Sequence, residues 1–157
     1  MSDVDLAAGV RAALIGGLEG LHSAVKAAAE PLSEAAFWRK PLEPGNSVGH
    51  LVLHLTGNLN HFVGAQLGGS GYVRDREREF TETQLPSKVD ALQKLDDAVT
   101  MFRKVVSGLS AEQLAAAHPE ARFGVVMNAL VHLVSHFALH RGQMSYIARL
   151  VKRGDRA

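Results

Sequence analysis

The chain has no cysteine among its 157 residues. Disulfides, thiolate metal sites and a cysteine nucleophile are therefore excluded, and histidine is left as the soft ligand available. No segment reaches the roughly 18 uncharged apolar residues of a membrane span. The N-terminus carries Asp3 and Asp5 with no basic region before an apolar run, so it does not read as a signal peptide, and a cytoplasmic location is expected. There is no excess of charge of either sign: the net charge is +1 with histidines neutral, which argues against nucleic-acid and anionic-membrane partners. Neither a strand pattern nor a repeat of fixed period is found. An HExxH motif is missing as well.

What is present is a run of amphipathic helices. Hydrophobic residues make up 46% and charged residues 21%, which suits a soluble globule of one domain over residues 1–157. Leu6, Val10, Leu14, Leu18, Leu21 and Val25 follow helical spacing between Asp3 and Ala29. Pro31 to Asn46 is a connection in which Ser33 to Phe37 can form a short turn, and Trp38 reads as an anchor into the bundle. Asn46 or Ser47 can cap a second helix reaching about Leu67. The stretch Arg74-Asp75-Arg76-Glu77-Arg78-Glu79-Phe80 alternates in sign and reads as a solvated loop. Ser87 caps a third helix that Gly108 stops, Ser110 caps a short turn, and His118 beside Pro119 reads as exposed. The last helix runs from about Gly124 to Arg153. Four substantial helices joined by unequal connections give an all-α four-helix bundle, with the long second connection able to let helices cross over.

His132, His136 and His140 recur every four residues in this last helix. Four residues advance about 400°, so the three imidazoles form a ladder on one side. A pair of histidines at this spacing is a bidentate metal site in the making. A third ligand has to come from another helix, where His50, His54 and His61 are the candidates. His54 is the best placed, central in its helix and beside the apolar face, whereas His50 and His61 read as rim residues and His132 as a supporting one. No Asp or Glu occurs from Ser47 to Tyr72 or from Arg122 to Gly154. The two histidine-bearing helices therefore supply neither a carboxylate ligand nor a general base, and a Glu-x-x-His di-iron site has no support there. Three neutral imidazoles leave a divalent ion its full charge and an open position, the arrangement of a catalytic site.

With these residues in view the chain resembles the DinB/YfiT superfamily, and within it the DUF1572-like branch. The resemblance is carried by Phe37-Trp38 before a Pro-Gly loop, by residues 47–58 around His50 and His54, by residues 74–80, and by His136-Phe137-Ala138-Leu139-His140-Arg141-Gly142-Gln143. It implies a four-helix bundle with a long crossover and a divalent metal, zinc or nickel, on His54, His136 and His140. It also implies a homodimer and, in some relatives, thiol-dependent S-transfer from a low-molecular-weight thiol to a small-molecule electrophile. Asn58 and Gln143, one and two turns from the ligand residues His54 and His136, are candidates to orient such a ligand or to support the imidazoles. Metal-dependent hydrolysis, and a non-catalytic bundle that binds a small ligand around a structural metal, remain open as alternatives.

Overall fold

A computed structural model describes residues 3–154, so the ends of the expected 1–157 domain lie outside the described residues. Four long helices dominate: α1 (Asp3–Ala29), α3 (Val48–Leu59), α5 (Lys88–Ser107) and α7 (Val126–Gly154). Three short ones lie between them: α2 (Glu34–Trp38), α4 (Arg78–Thr81) and α6 (Ala111–Ala115). A 3-10 turn, Ala121–Phe123, precedes α7. Among the described residues no strand forms beyond an isolated bridge between Ala117 and Val125, and no helix is long and apolar enough to cross a membrane.

The helix starts are written in serine. Ser33, Ser47, Ser87 and Ser110 each accept a backbone N–H three residues on, from Ala36, His50, Asp90 and Gln113. Each such cap is worth about 1 kcal/mol. Ser110 and Gln113 complete a reciprocal capping box.

Helix α1 packs on α5 and α7, and α3 packs on the same two. Consecutive long helices are neighbours only at the α3–α5 step. The chain therefore crosses the bundle diagonally between α1 and α3 and again between α5 and α7. The bundle with crossover stands as expected, but the crossings fall in the first and third connections. The second, residues 66–87, joins adjacent helices and is free to fold back over the bundle. Fully buried Leu18, Leu51, Leu55, Leu95, Phe102, Phe137 and Met144 bring all four helices to one core. Burial of each such side chain contributes about 1.5–3 kcal/mol before entropy is counted.

Three local findings differ from expectation. Helix α3 does not continue as an α-helix to Leu67: it passes into a π-helical turn, Asn60–Ala65, which alters the angular step from His61 onward. His118 is buried rather than exposed. Backbone bonds His118 N→Gly124 O (2.8 Å) and Val126 N→Ala116 O (2.9 Å) close the segment into a tight loop, which sets the imidazole edge-on to Phe123. His50 is buried too, with Ser47 Oγ 2.6 Å from its Nδ1 and the Trp38 ring edge-on at 5.5 Å.

Trp38 is the expected anchor. Its ring meets Phe37 edge-on at 4.9 Å, and its Nε1 donates to Glu34 Oε1 at 3.1 Å. It lies so close over Gly49 that a Cβ there would come within 2.3 Å of the indole. Gly49→Ala is expected to destabilise the fold by about 1–3 kcal/mol through overpacking. It should also shift the emission of this sole tryptophan, so one denaturation series followed by fluorescence checks both effects.

Candidate metal centre

The inner face of α3 presents His54, and the facing side of α7 presents His136 and His140. His54 Nε2 is 3.2 Å from His136 Nε2, and His136 Nε2 is 3.0 Å from His140 Nε2. One nitrogen from each of the three lies within 4.8 Å of the other two. Ligand atoms at about 2.0–2.1 Å from a tetrahedral ion stand about 3.4 Å apart, close to this spacing.

The opposite ring nitrogens fix which tautomers are present. His54 Nδ1–H donates to Glu79 Oε2 at 2.8 Å, and His140 Nδ1–H donates to Gln143 Oε1 at 2.7 Å. Each ring then carries its lone pair on Nε2, pointing into the cluster. A proton on His136 Nε2 can serve one of these lone pairs, and Asn58 Nδ2, 3.1 Å from His54 Nε2, can serve the other. A cation would serve all three nitrogens at once. Burial lowers the His136 pKa to about 3, with the neighbouring His140 and His54 adding to the effect. His140 is lowered as well, chiefly by burial, against the opposing effect of its hydrogen bond to Gln143. His136 and His140 are therefore neutral near pH 7, the state a metal requires of imidazole ligands. The residues present fit a divalent ion.

The charged stretch 74–80 is solvated only in part: Asp75 to Arg78 are exposed, but Arg74 and Glu79 turn inward. Glu79 is buried beside His54. Arg74 grips it with a bidentate pair, Nε to Oε1 at 2.6 Å and Nη2 to Oε2 at 2.8 Å. Burial alone would raise the Glu79 pKa, but the hydrogen bonds from Arg74 and His54 outweigh it and hold the carboxyl below its ordinary range. The close approach depends on Gly57, where a Cβ would fall 2.0 Å from Glu79 Oε1. Reading acids from the two ligand helices alone missed this residue. The available signal was chemical: a ligating histidine needs an acceptor for its second N–H. Neither helix offered an acid, and the nearest acidic stretch after α3 contains Phe80, whose ring packs 4.8 Å from that of His54.

The other histidines are not drawn in as ligands. His132 stacks on His136 at 5.9 Å and against Phe123 at 5.2 Å, in the supporting place expected for it. The π-helical turn directs His61 to Glu120 Oε1, 3.3 Å away, and to Gln66. His50 faces Trp38. Asn58 and Gln143 both touch the trio, and both line a cavity of about 530 Å3 above it.

Residues 13–151 match the mycothiol-S-transferase family. The chain belongs to the mycothiol-S-transferase family. This places it within the DinB/YfiT superfamily. Among curated proteins no sequence matches. Two solved structures share the bundle seen here. A conserved protein from Enterococcus faecalis superposes with a TM-score of 0.73 at 16% identity, covering 88% of this chain and 94% of its own. YfiT from Bacillus subtilis, described as a probable metal-dependent hydrolase with an unusual four-helix bundle topology, gives 0.70 at 19% identity, covering 88% and 86%. At such identities the likeness is one of fold.

Two outcomes test this geometry. Glu79→Gln and Gly57→Ala, neither of them at a ligand position, should each weaken zinc binding by about 10–100-fold in a competition titration, because the support of His54 is lost. In metal-free protein, His136 binds its proton less readily folded than unfolded, where the ordinary value is 6.5. Its contribution to stability is thus complete above about pH 6.5 and is lost as the pH falls from there toward about 3. Urea denaturation of chelated protein should show falling stability between about pH 7 and 5, with a shallower slope for His136→Asn.

Proposed function

We propose that this chain is a metal-dependent enzyme that transfers a low-molecular-weight thiol, mycothiol by the name of its family, to a small electrophile. The observation that carries the reading is the convergence of His54, His136 and His140 Nε2 in a cavity with no carboxylate in its lining. Family membership and this cluster support the broader statement, a metal-dependent enzyme of this bundle fold. Zinc or nickel suits a set of three imidazoles. Once bound, such an ion supplies Lewis acidity that favours an anionic ligand and lowers the pKa of a coordinated thiol.

The chain's own residues prepare the cavity for that chemistry. Glu79, held by Arg74, keeps the proton of His54 on Nδ1 and so keeps Nε2 free to ligate. Gln143 does the same for His140. With His54 Nε2 engaged, the Asn58 amide is released to donate to whatever lies beside the cluster. Phe62 and Phe80 give the cavity an apolar part of its wall. None of the lining residues is a carboxylate that would repel a thiolate.

Elemental analysis of protein purified without a metal-affinity tag is expected to find stoichiometric zinc or nickel, and His136→Ala should lose most of it. Metal-free wild-type protein, or full occupancy in His136→Ala, would overturn the site. Metal-loaded protein should then consume mycothiol in the presence of a small electrophile, with the rate lost in His136→Ala. Turnover of an ester or amide without any thiol would replace transfer by hydrolysis.

A further inference from the structure

The cavity above the histidines is lined by Arg74, Arg76 and Arg122 and by no Asp or Glu. The three arginines are not equivalent. Arg74 is committed to Glu79 through two hydrogen bonds. Arg122 donates through Nε alone, to Glu120 Oε2 at 2.9 Å. Its guanidinium carbon sits 4.5 Å from the centroid of Phe123 and 5.3 Å from that of Phe62. Arg76 lies 5.7 Å from the centroid of Phe80. Among the described residues no hydrogen bond or ion pair engages Arg76. Each of these two arginines also stands close to the histidines. Phe80 packs on His54, and Phe123 packs on His132, which stacks on His136.

We propose that Arg76 and Arg122 form an anion clamp at the mouth of the cavity, and that the small electrophilic substrate carries a carboxylate which this clamp receives. The assignment rests on the cavity being the substrate site, as proposed above, and not on the identity of the metal or the thiol. Guanidinium groups resting on aromatic rings keep their edge N–H donors directed away from the ring, pre-organised for a planar oxyanion. Glu120 restrains Arg122 through Nε and leaves its terminal nitrogens uncommitted. Glu79 offsets the charge of Arg74 and Glu120 part of that of Arg122, but no acid lines the cavity itself and Arg76 is unpaired among the described residues, so an anionic ligand is both attracted on approach and paired on arrival. Aromatic walls beside each arginine suit the apolar body of such an acid. The distance from each arginine to the histidines, one or two rings, lets the carboxylate be held while the rest of the molecule reaches the cluster.

Calorimetric titration of the full chain with benzoate tests this. Benzamide serves as the uncharged counterpart and phenyl phosphate as the competing oxyanion, and all are measured on protein as purified and after chelation. Benzoate is expected to bind at least about tenfold more tightly than benzamide. Arg76→Gln and Arg122→Gln should each weaken benzoate binding about tenfold, with metal content unchanged, and Arg122→Lys should recover only part because it lacks the fork. Equal affinity for benzoate and benzamide, no benzoate binding at all, or benzoate binding that vanishes on chelation while both arginine variants bind normally would each overturn the clamp. Tighter binding of phenyl phosphate, lost in the same variants, would overturn the carboxylate assignment. Arginine-dependent benzoate binding in protein that proves to hold no metal would uphold the clamp while the metal-dependent function fell.

Discussion

The hydrogen bond from His54 Nδ1 to Glu79 is the contact on which the site depends. It gives a histidine on a helix the tautomer that a ligand would need, and it does so with a residue from neither histidine-bearing helix. A carboxylate buried next to an imidazole is stable only if its remaining oxygen lone pairs are also met. Arg74 meets them with a bidentate pair, and Gly57 leaves the space in which all three groups come together. The connection between α3 and α5 is thereby fastened to the bundle at the one point where the candidate centre needs it.

The bundle supplies the rest by geometry. Because the chain crosses diagonally between α1 and α3 and between α5 and α7, the two histidine-bearing helices become neighbours without being consecutive long helices. The second connection, relieved of a crossing, has length to spare. It covers the site with Arg74, Arg76, Glu79 and Phe80. The segment before α7 contributes Arg122 to the same cavity from another direction.

Much of this was legible in the residues. The apolar spacing of Leu14, Leu18 and Val25, of Leu92, Leu95 and Val99, and of Leu133, Phe137 and Met144 marks the core faces, and the serine caps mark where helices begin. The four-residue interval between His136 and His140 exposed two of the three members of the cluster, and the apolar flank of His54 exposed the third candidate. Glu79 stayed hidden because alternating charges look alike whether they face solvent or pair inward. The difference lies in which partner the fold brings near. His118 and His50 were misplaced for a related reason: a lone polar residue reveals its burial only through the neighbours that fold over it. The π-helical turn was invisible because its onset at Asn60 has no proline or glycine to announce it.

His54 and His136 stand 82 positions apart in the chain. The centre therefore has no local precursor: neither helix alone, nor any short fragment, contains it. An ion able to engage both helices would bind the closed bundle and ignore the open chain, so its affinity enters the folding equilibrium directly. Occupancy and integrity then become one quantity seen from two sides. A substitution that loosens α3 from α7 anywhere along their contact would register as lost metal, and a shortage of metal would register as a softer fold.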